Sequence, residues 1–201
     1  MNALLRSISF IFHPLLMPML GVVLFFYTSP RFIPLPIIKG KLISIFLLTI
    51  LFPIFVFYFL KASKHVKTIY LKTAKERIVP LIINCSVLVY IVLRIFPINE
   101  FKEVYFFFIA ILLSTLSCLI LAILKFKASI HMIASGGILM FLIATSIHYS
   151  INLNGLIAIL FVLVGAIASS RLHMNAHNYP ELIVGFFIGL LPQLILVKFW
   201  L

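Results

Sequence analysis

The sequence predicts an all-α fold, a polytopic transmembrane helical bundle of about six to seven spans, and three observations support this prediction. Hydrophobic residues make up 64% of the 201 residues and charged residues only 10%, whereas soluble domains are about half apolar and a quarter charged. Apolar runs of about 20 residues, the length that crosses a bilayer, follow one another along the chain. Lys and Arg stand mostly in the short segments between them. We therefore expect a single integral membrane domain over residues 1–201.

The candidate spans follow from these runs: 8–27, 42–60, 79–97, 104–124, 130–149, 155–170 and 181–200. Pro14 and Pro18 predict a kink in the first span, because proline lacks a backbone donor and clashes with the preceding turn. The prolines of segment 31–41 predict an extended surface connection before the second span. Segment 61–77 is the longest polar stretch, and its scattered aliphatic residues hint at an interfacial helix.

Small residues indicate where the helices approach one another closely. Gly185 and Gly189 stand four residues apart in the last span, a spacing typical of close helix packing in membranes. Cys85 and Cys118 lie deep in apolar runs, where we expect them to act as small packing residues.

The charge balance is strongly basic, with sixteen Lys and Arg against four acids, all of them Glu. Because the basic residues lie between apolar runs, we expect membrane lipids or a phosphate-bearing substrate as partners, and no nucleic acid. Asp is absent, which excludes enzymes that hold Mg²⁺ through Asp-rich clusters. Any phosphate chemistry would therefore rely on cationic side chains.

Alternation of the seven spans places the segments after the second, fourth and sixth spans on one membrane face. That face collects most of the polar groups: Lys72, Lys75, Arg77, Lys125, Lys127, Ser129, His131, Arg171, His173, His177 and Glu181. Ionisable residues near membrane depth are costly and are functional candidates by default. The sequence therefore predicts a site at this boundary.

His177 and Glu181 stand four residues apart where the last span begins, and Asn178 and Pro180 predict a helix start there. This spacing puts the carboxylate one turn from the imidazole, on the same side. The carboxylate can accept a hydrogen bond from one ring N–H, which fixes the tautomer and leaves the other ring nitrogen basic. The carboxylate of a catalytic triad orients its histidine in the same way. Here His177 would itself be the reacting group. His173 also stands four residues from His177, so a metal site formed by His173, His177 and Glu181 is an alternative.

The pattern around these residues resembles the third motif of the type-2 phosphatidic-acid phosphatase superfamily, membrane enzymes that hydrolyse lipid phosphates without a metal. That motif reads Ser-Arg, five residues, His, three residues and Asp. The matching positions here are Ser170, Arg171, His177 and Glu181. Glu in place of Asp lengthens the orienting arm by one methylene and keeps its charge.

The two other motifs of the superfamily are present in altered form. For its second motif, Pro-Ser-Gly-His, the chain has Ala128, Ser129, Ile130 and His131. The first motif of the superfamily reads Lys, six residues and Arg-Pro. Lys72 matches the Lys, and after six residues Val79 and Pro80 stand where the motif has Arg-Pro, with Arg77 two places early. The match covers about 72–190, with a helical hairpin inserted at about 79–124.

The resemblance implies a hydrolase, a lipid phosphatase of phospholipid metabolism that needs no metal and no other cofactor. By it, His177 would attack phosphorus and form a phosphohistidine, Glu181 would orient His177, and His131 would protonate the leaving lipid oxygen. The implied substrate-binding residues are Lys72, Arg77, Ser129 and Arg171. We expect a lipid phosphate or pyrophosphate as substrate, and a multi-pass protein of the bacterial inner (cytoplasmic) membrane.

Other functions stay open. A catalytically lapsed relative would bind lipid or partner proteins, since Val79, Ala128 and Ile130 depart from the family pattern. A small transporter is a third hypothesis, although the middles of the spans are almost free of charge. The polar residues near His177 could also be a cap that anchors helix ends among headgroups.

Overall fold

The computed structural model describes residues 2–63 and 73–201, with side chains from residue 7 onward. Within these ranges the chain forms nine α-helices and no β-strand. Their bounds are α1 Asn2–Ile11, α2 Met17–Thr28, α3 Leu35–Phe46, α4 Phe52–Ala62, α5 Ala74–Tyr90, α6 Lys102–Ile123, α7 Ile130–His148, α8 Asn154–His173 and α9 Tyr179–Val197. A π-helical turn at Leu47–Leu51 joins α3 to α4, and another at Ile91–Ile95 extends α5.

Seven helical segments of the described ranges are long and apolar enough to cross a membrane: Ser7–Thr28, Leu35–Ala62, Ala74–Ile95, Lys102–Ile123, Ile130–His148, Asn154–His173 and Tyr179–Val197. The protein is therefore an integral, multi-pass membrane protein with the helical-bundle fold that the sequence predicts. The extended connection predicted at 31–41 is wrong beyond residue 34, because α3 begins at Leu35. Pro36 is tolerated in the first helical turn, where a backbone N–H would have no helical acceptor. The interfacial helix predicted within 61–77 lies mostly outside the described residues.

The first span is interrupted by its prolines, as predicted. His13 begins a 3₁₀ turn, Pro14–Leu16, and its Nδ1 accepts a hydrogen bond of 3.3 Å from the Leu15 N–H. Pro18 then lies in the first turn of α2. The interruption separates two packing surfaces: α1 packs against α8, and α2 packs mainly against α7.

Helix α7 occupies the centre of the bundle and contacts α2, α6, α8 and α9. One end of its core is aromatic: the Phe107 and Phe141 ring centroids are 4.3 Å apart, and Phe25 and Phe108 are fully buried in the same cluster. Lipid tails are as apolar as these rings, so close van der Waals packing of this kind, and not removal from water, favours the association of the helices within the membrane.

Helix α7 packs most extensively against α9, and glycines make this possible. A Cβ on Gly189 would lie 1.8 Å from the Ile133 carbonyl oxygen, and one on Gly136 would lie 2.4 Å from the Phe186 carbonyl oxygen. Backbones at this separation leave no room for a side chain. The close packing predicted at Gly189 is therefore confirmed, and its partner is α7.

A polar cluster lies where α7 ends and α6 begins, at the opposite end of α7 from Ser129 and His131. Glu103 is 1% exposed and pairs with Arg31. The Tyr149 hydroxyl donates to the Glu103 Oε1 at 3.0 Å, and the His148 Nε2 lies 3.3 Å from the same oxygen. Burial, with the carboxylate adding to it, raises the pKa of Tyr149 to about 12, so its hydroxyl stays protonated and can donate. A buried carboxylate needs partners of this kind.

Candidate active site

The polar ends of several helices meet at one end of the bundle. The Arg77 Nη1, at the start of α5, donates to the Ala128 carbonyl at 2.7 Å. The Ser129 N–H, before α7, donates to the Glu181 carbonyl at 3.0 Å, in the first turn of α9. These two bonds connect the segments that correspond to all three motifs. Of the residues that alternation assigned to one face, Arg77, Ser129 and Glu181 are thus neighbours in space.

His177 and Glu181 form the centre of this region. The His177 side chain is 2% exposed, and its Nδ1 lies 2.7 Å from the Glu181 Oε2. Asn178 caps α9 through its Oδ1, which accepts from the Glu181 N–H at 3.0 Å, while the Asn178 N–H donates to the Glu181 Oε2 at 3.3 Å. This capping box fixes the carboxylate. Because a carboxylate can only accept, the His177 Nδ1 carries the proton and Nε2 keeps its lone pair.

Burial lowers the pKa of His177 to about 3, and the charges of Arg77, Lys127 and Arg171 act in the same direction. A hydrogen bond with the Lys127 backbone opposes them weakly. The imidazole is therefore neutral at physiological pH, and a neutral ring is the form that can donate an electron pair. Three cations around a neutral imidazole also create a region suited to an anionic ligand.

Arg77 and Val79, two residues apart at the start of α5, differ sharply in exposure. The Arg77 side chain points into the bundle with 5% exposure, whereas Val79 is 41% exposed on the outer surface. Two residues along a helix correspond to about 200°, so the two side chains lie on opposite faces of α5. Arg77, two places early, is the residue that this helix presents to His177. Lys72, the other first-motif residue, lies outside the described residues.

Lys127 is a site residue that the sequence analysis did not single out. Its Nζ donates to the Ala176 carbonyl at 2.9 Å, next to His177. Burial lowers the pKa of Lys127, and the neighbouring Arg77 adds to this effect. The position has no counterpart in the three motifs. The signal available in the sequence was its location two residues before Ser129 on the polar face.

Removing the Lys127 charge should raise the pKa of His177. Lys127→Gln keeps a donor for the Ala176 carbonyl and removes one of the cations that lower this pKa. We expect the pKa of His177 to rise by about one pH unit, so that the ring becomes protonated at a higher pH than in the wild type. NMR titration of the protein with labelled histidine measures this directly. Lys125→Gln, at an exposed neighbour, is the control, and equal shifts in both variants would contradict the proposed cause.

Ser129 and His131 occupy the start of α7, where helix N–H groups favour anions. The Ser129 hydroxyl is buried and has no hydrogen-bond partner in the described part of the chain. The His131 Nε2 donates to the Ser9 carbonyl at 3.1 Å. Ser129 therefore has an unused hydroxyl beside the His177–Glu181 pair, and His131 is held in the tautomer with the proton on Nε2.

Helix α1 also belongs to this region, which the sequence analysis missed. The Ser9 and Ser170 hydroxyl oxygens lie 2.6 Å apart, and both residues are buried. Through its carbonyl and its hydroxyl, Ser9 thus contacts residues at second-motif and third-motif positions. The His13 ring lies edge-on to the His131 ring, with centroids 5.6 Å apart. The available signal in the sequence was that Ser9 and His13 are polar residues near the start of the first apolar run, just before Pro14.

The alternative of a metal site finds no support in the geometry. Among residues 2–63 and 73–201, no three His, Cys, Asp or Glu side chains are grouped so that they could hold a metal ion. His173 is exposed in the last turn of α8, while His177 is buried against Glu181.

Comparisons of the chain with protein-family models, with curated proteins and with solved structures find no match. The geometry of the site and the pattern of its residues therefore carry the functional argument.

Proposed function

We propose that the protein is a lipid phosphatase that hydrolyses a lipid phosphate or pyrophosphate monoester, without a metal, through a phosphohistidine intermediate. The observation that carries this proposal is the His177–Glu181 pair, a buried neutral imidazole oriented at 2.7 Å by a carboxylate and surrounded by Arg77, Lys127 and Arg171. The arrangement agrees with the resemblance to the type-2 phosphatidic-acid phosphatases. A nucleophile, an orienting group and fixed cations are what phosphoryl transfer requires.

In the proposed reaction the Nε2 of His177 attacks phosphorus and forms a P–N bond, while the P–O bond to the lipid breaks. The leaving oxygen takes a proton from His131, which carries it as imidazolium while the phosphate dianion is bound. His131 then takes a proton from water, the resulting hydroxide attacks phosphorus, and the P–N bond breaks to release inorganic phosphate. Glu181 stabilises the charge that develops on His177, as a triad carboxylate does.

The cations and the α7 N-terminus would hold the phosphoryl oxygens during these steps. Arg77 supplies a planar guanidinium fork that matches two oxygens, and Lys127 supplies a point charge. The Ser129 hydroxyl, which accepts or donates no hydrogen bond within the described residues, supplies a further donor beside them. Stabilisation by groups that are already in place costs no reorganisation during the reaction.

The surface next to the site favours a substrate with a long apolar chain. A groove of about 320 Å³ runs between α6 and α9, and Ile183, Phe187 and Leu191 line it from the α9 side. It begins two residues beyond Glu181 and continues along the membrane-spanning part of α9. A lipid tail in the groove would leave its headgroup near the start of α9. A multi-pass enzyme of the bacterial inner membrane would meet such substrates.

One observation favours a second candidate, a lapsed relative that binds lipid or partner proteins and no longer cuts. The His131 Nε2–H and one Arg77 N–H are both bonded to backbone carbonyls of the protein. In a lapsed relative these bonds would persist when a ligand binds. In an enzyme the substrate oxygens would replace or share them, since catalytic bonds often form fully only in the complex.

Phosphate release by the purified protein in detergent distinguishes the two candidates. We would offer phosphatidic acid, phosphatidylglycerol phosphate, undecaprenyl pyrophosphate and lipid A, each with excess EDTA. The proposal predicts release from at least one of them, at a rate that EDTA does not change. Binding of these lipids by a folded protein without any release would favour the lapsed relative. Release that EDTA abolishes would refute the metal-free reaction.

A further inference from the structure

His13 is a polar side chain of the site to which the proposed reaction gives no role. It stands in the interruption between α1 and α2, is exposed, and lies edge-on to His131 at 5.6 Å between ring centroids. Its two ring nitrogens differ in their hydrogen bonding. Nδ1 accepts the Leu15 N–H, so the proton of the neutral ring is on Nε2. That Nε2–H has no hydrogen-bond partner in the described part of the chain.

The neighbouring His131 is fixed from the same segment. Its Nε2 bonds to the carbonyl of Ser9, and the Ser9 hydroxyl is in turn bonded to Ser170. Helix α1 and the turn that follows it therefore set the tautomer of one histidine and place a second imidazole ring beside it. A cap for Leu15 alone would need only an acceptor, which Ser, Thr, Asn or Asp commonly provide.

We propose that His13 contacts the substrate, and that its Nε2–H donates a hydrogen bond to the leaving lipid oxygen that His131 protonates. This inference rests on the proposed function. His13 transfers no proton: the P–O bond breaks, the proton on the new hydroxyl comes from His131, and the His13 N–H shares the negative charge that develops before that transfer. The ligand class is an ester of an aliphatic alcohol, whose alkoxide is a strong base and needs such help.

The dependence on the leaving group separates this role from a structural one. An alkyl phosphate expels a strongly basic alkoxide, whereas a nitrophenyl phosphate expels a weakly basic phenolate that needs little stabilisation. The test uses long-chain alkyl phosphate and nitrophenyl phosphate with a chain of the same length, so that tail binding is matched. The wild type, His13→Asn, His13→Ala and His173→Asn are compared on both substrates.

His13→Asn keeps an acceptor for the Leu15 N–H and removes the ring. We expect it to lower kcat about tenfold on the alkyl phosphate, the effect of one hydrogen bond to a charged group, and to change kcat less than about twofold on the nitrophenyl phosphate. His13→Ala should show the same selectivity, with an added loss of stability from the missing cap. His173→Asn, at an exposed histidine of α8, should change neither rate.

Equal losses of His13→Asn on both substrates would overturn the inference, and so would wild-type rates on both. A wild type that hydrolyses neither substrate refutes the proposed function instead. In that case the affinity for the alkyl phosphate decides about His13. Weaker binding by His13→Asn supports its contact with the ester oxygen, and unchanged binding rejects it.

Discussion

His177→Ala should abolish turnover of the lipid substrate while the protein stays folded. The substitution removes the nitrogen that would form the P–N bond, and the cations and the helix ends alone offer no nucleophile. We expect kcat to fall by at least about 10³-fold. Folding should survive, because the Glu181 Oε2 retains the Asn178 N–H as a partner. Phosphate release gives the rate, and thermal unfolding in detergent reports the fold.

The covalent intermediate gives an independent measurement for the same variant. Radiolabelled substrate, quenched during turnover, should leave an acid-labile and base-stable label on the wild type and none on His177→Ala. His173→Ala is the matched control, because His173 is exposed and four residues away. It should label and turn over like the wild type. A label that persists in His177→Ala would assign the nucleophile to another residue.

Gly189→Ala should have the largest effect on stability. The added Cβ would lie 1.8 Å from the Ile133 carbonyl oxygen and 3.0 Å from the Gly137 nitrogen, both of them backbone atoms of α7. No side-chain rotation relieves such a contact, so α9 must move away from α7. We expect a loss of about 3 kcal/mol, at the upper end for overpacking. This corresponds to an apparent melting temperature lower by about 10 °C.

The same change should also reduce activity, because the contact between α7 and α9 positions the site. The Ser129 N–H bonds to the Glu181 carbonyl, and Gly185 lets Ser129 approach α9. A displacement of about 1 Å at a reacting centre can cost about 10²-fold in rate.

Gly165→Ala is the control for Gly189→Ala. Nothing lies within 4 Å of a Cβ at Gly165 in α8, and Ala is preferred over Gly in a helix by about 1 kcal/mol. This variant should match or slightly exceed the wild type in stability and activity. A Gly189→Ala protein as stable as Gly165→Ala would show that α7 and α9 do not pack in this way.

The sequence predicted the parts of this molecule that depend on local patterns. Apolar runs long enough to cross a bilayer predicted the spans. The alternation of successive spans across the membrane predicted that the polar segments share one face. The Asn178 and Glu181 pair lies within a single helical turn, so its capping box follows from spacing alone. The position of Glu181 relative to His177 follows from the same turn.

The parts that the sequence did not predict depend on how helices are rotated and on contacts between distant segments. Whether Arg77 or Val79 faces the site depends on where α5 begins and how it packs. Lys127 enters the site through a bond to the Ala176 carbonyl, 49 residues away in the chain. The roles of Ser9 and His13 needed the path of the chain after Pro14, which no local pattern specifies.

The bond between Ser9 and Ser170 joins residues 161 positions apart in the chain. Helix α1 is synthesised before its partner α8, and His177 and Glu181 follow later still. Contacts of such long sequence separation form late in folding, because the intervening chain must be ordered first. During synthesis, His131 therefore enters the membrane long before its neighbours on α9 exist. The proposed site is completed only by α9, so we expect a nascent or truncated chain that ends before α9 to lack the proposed activity.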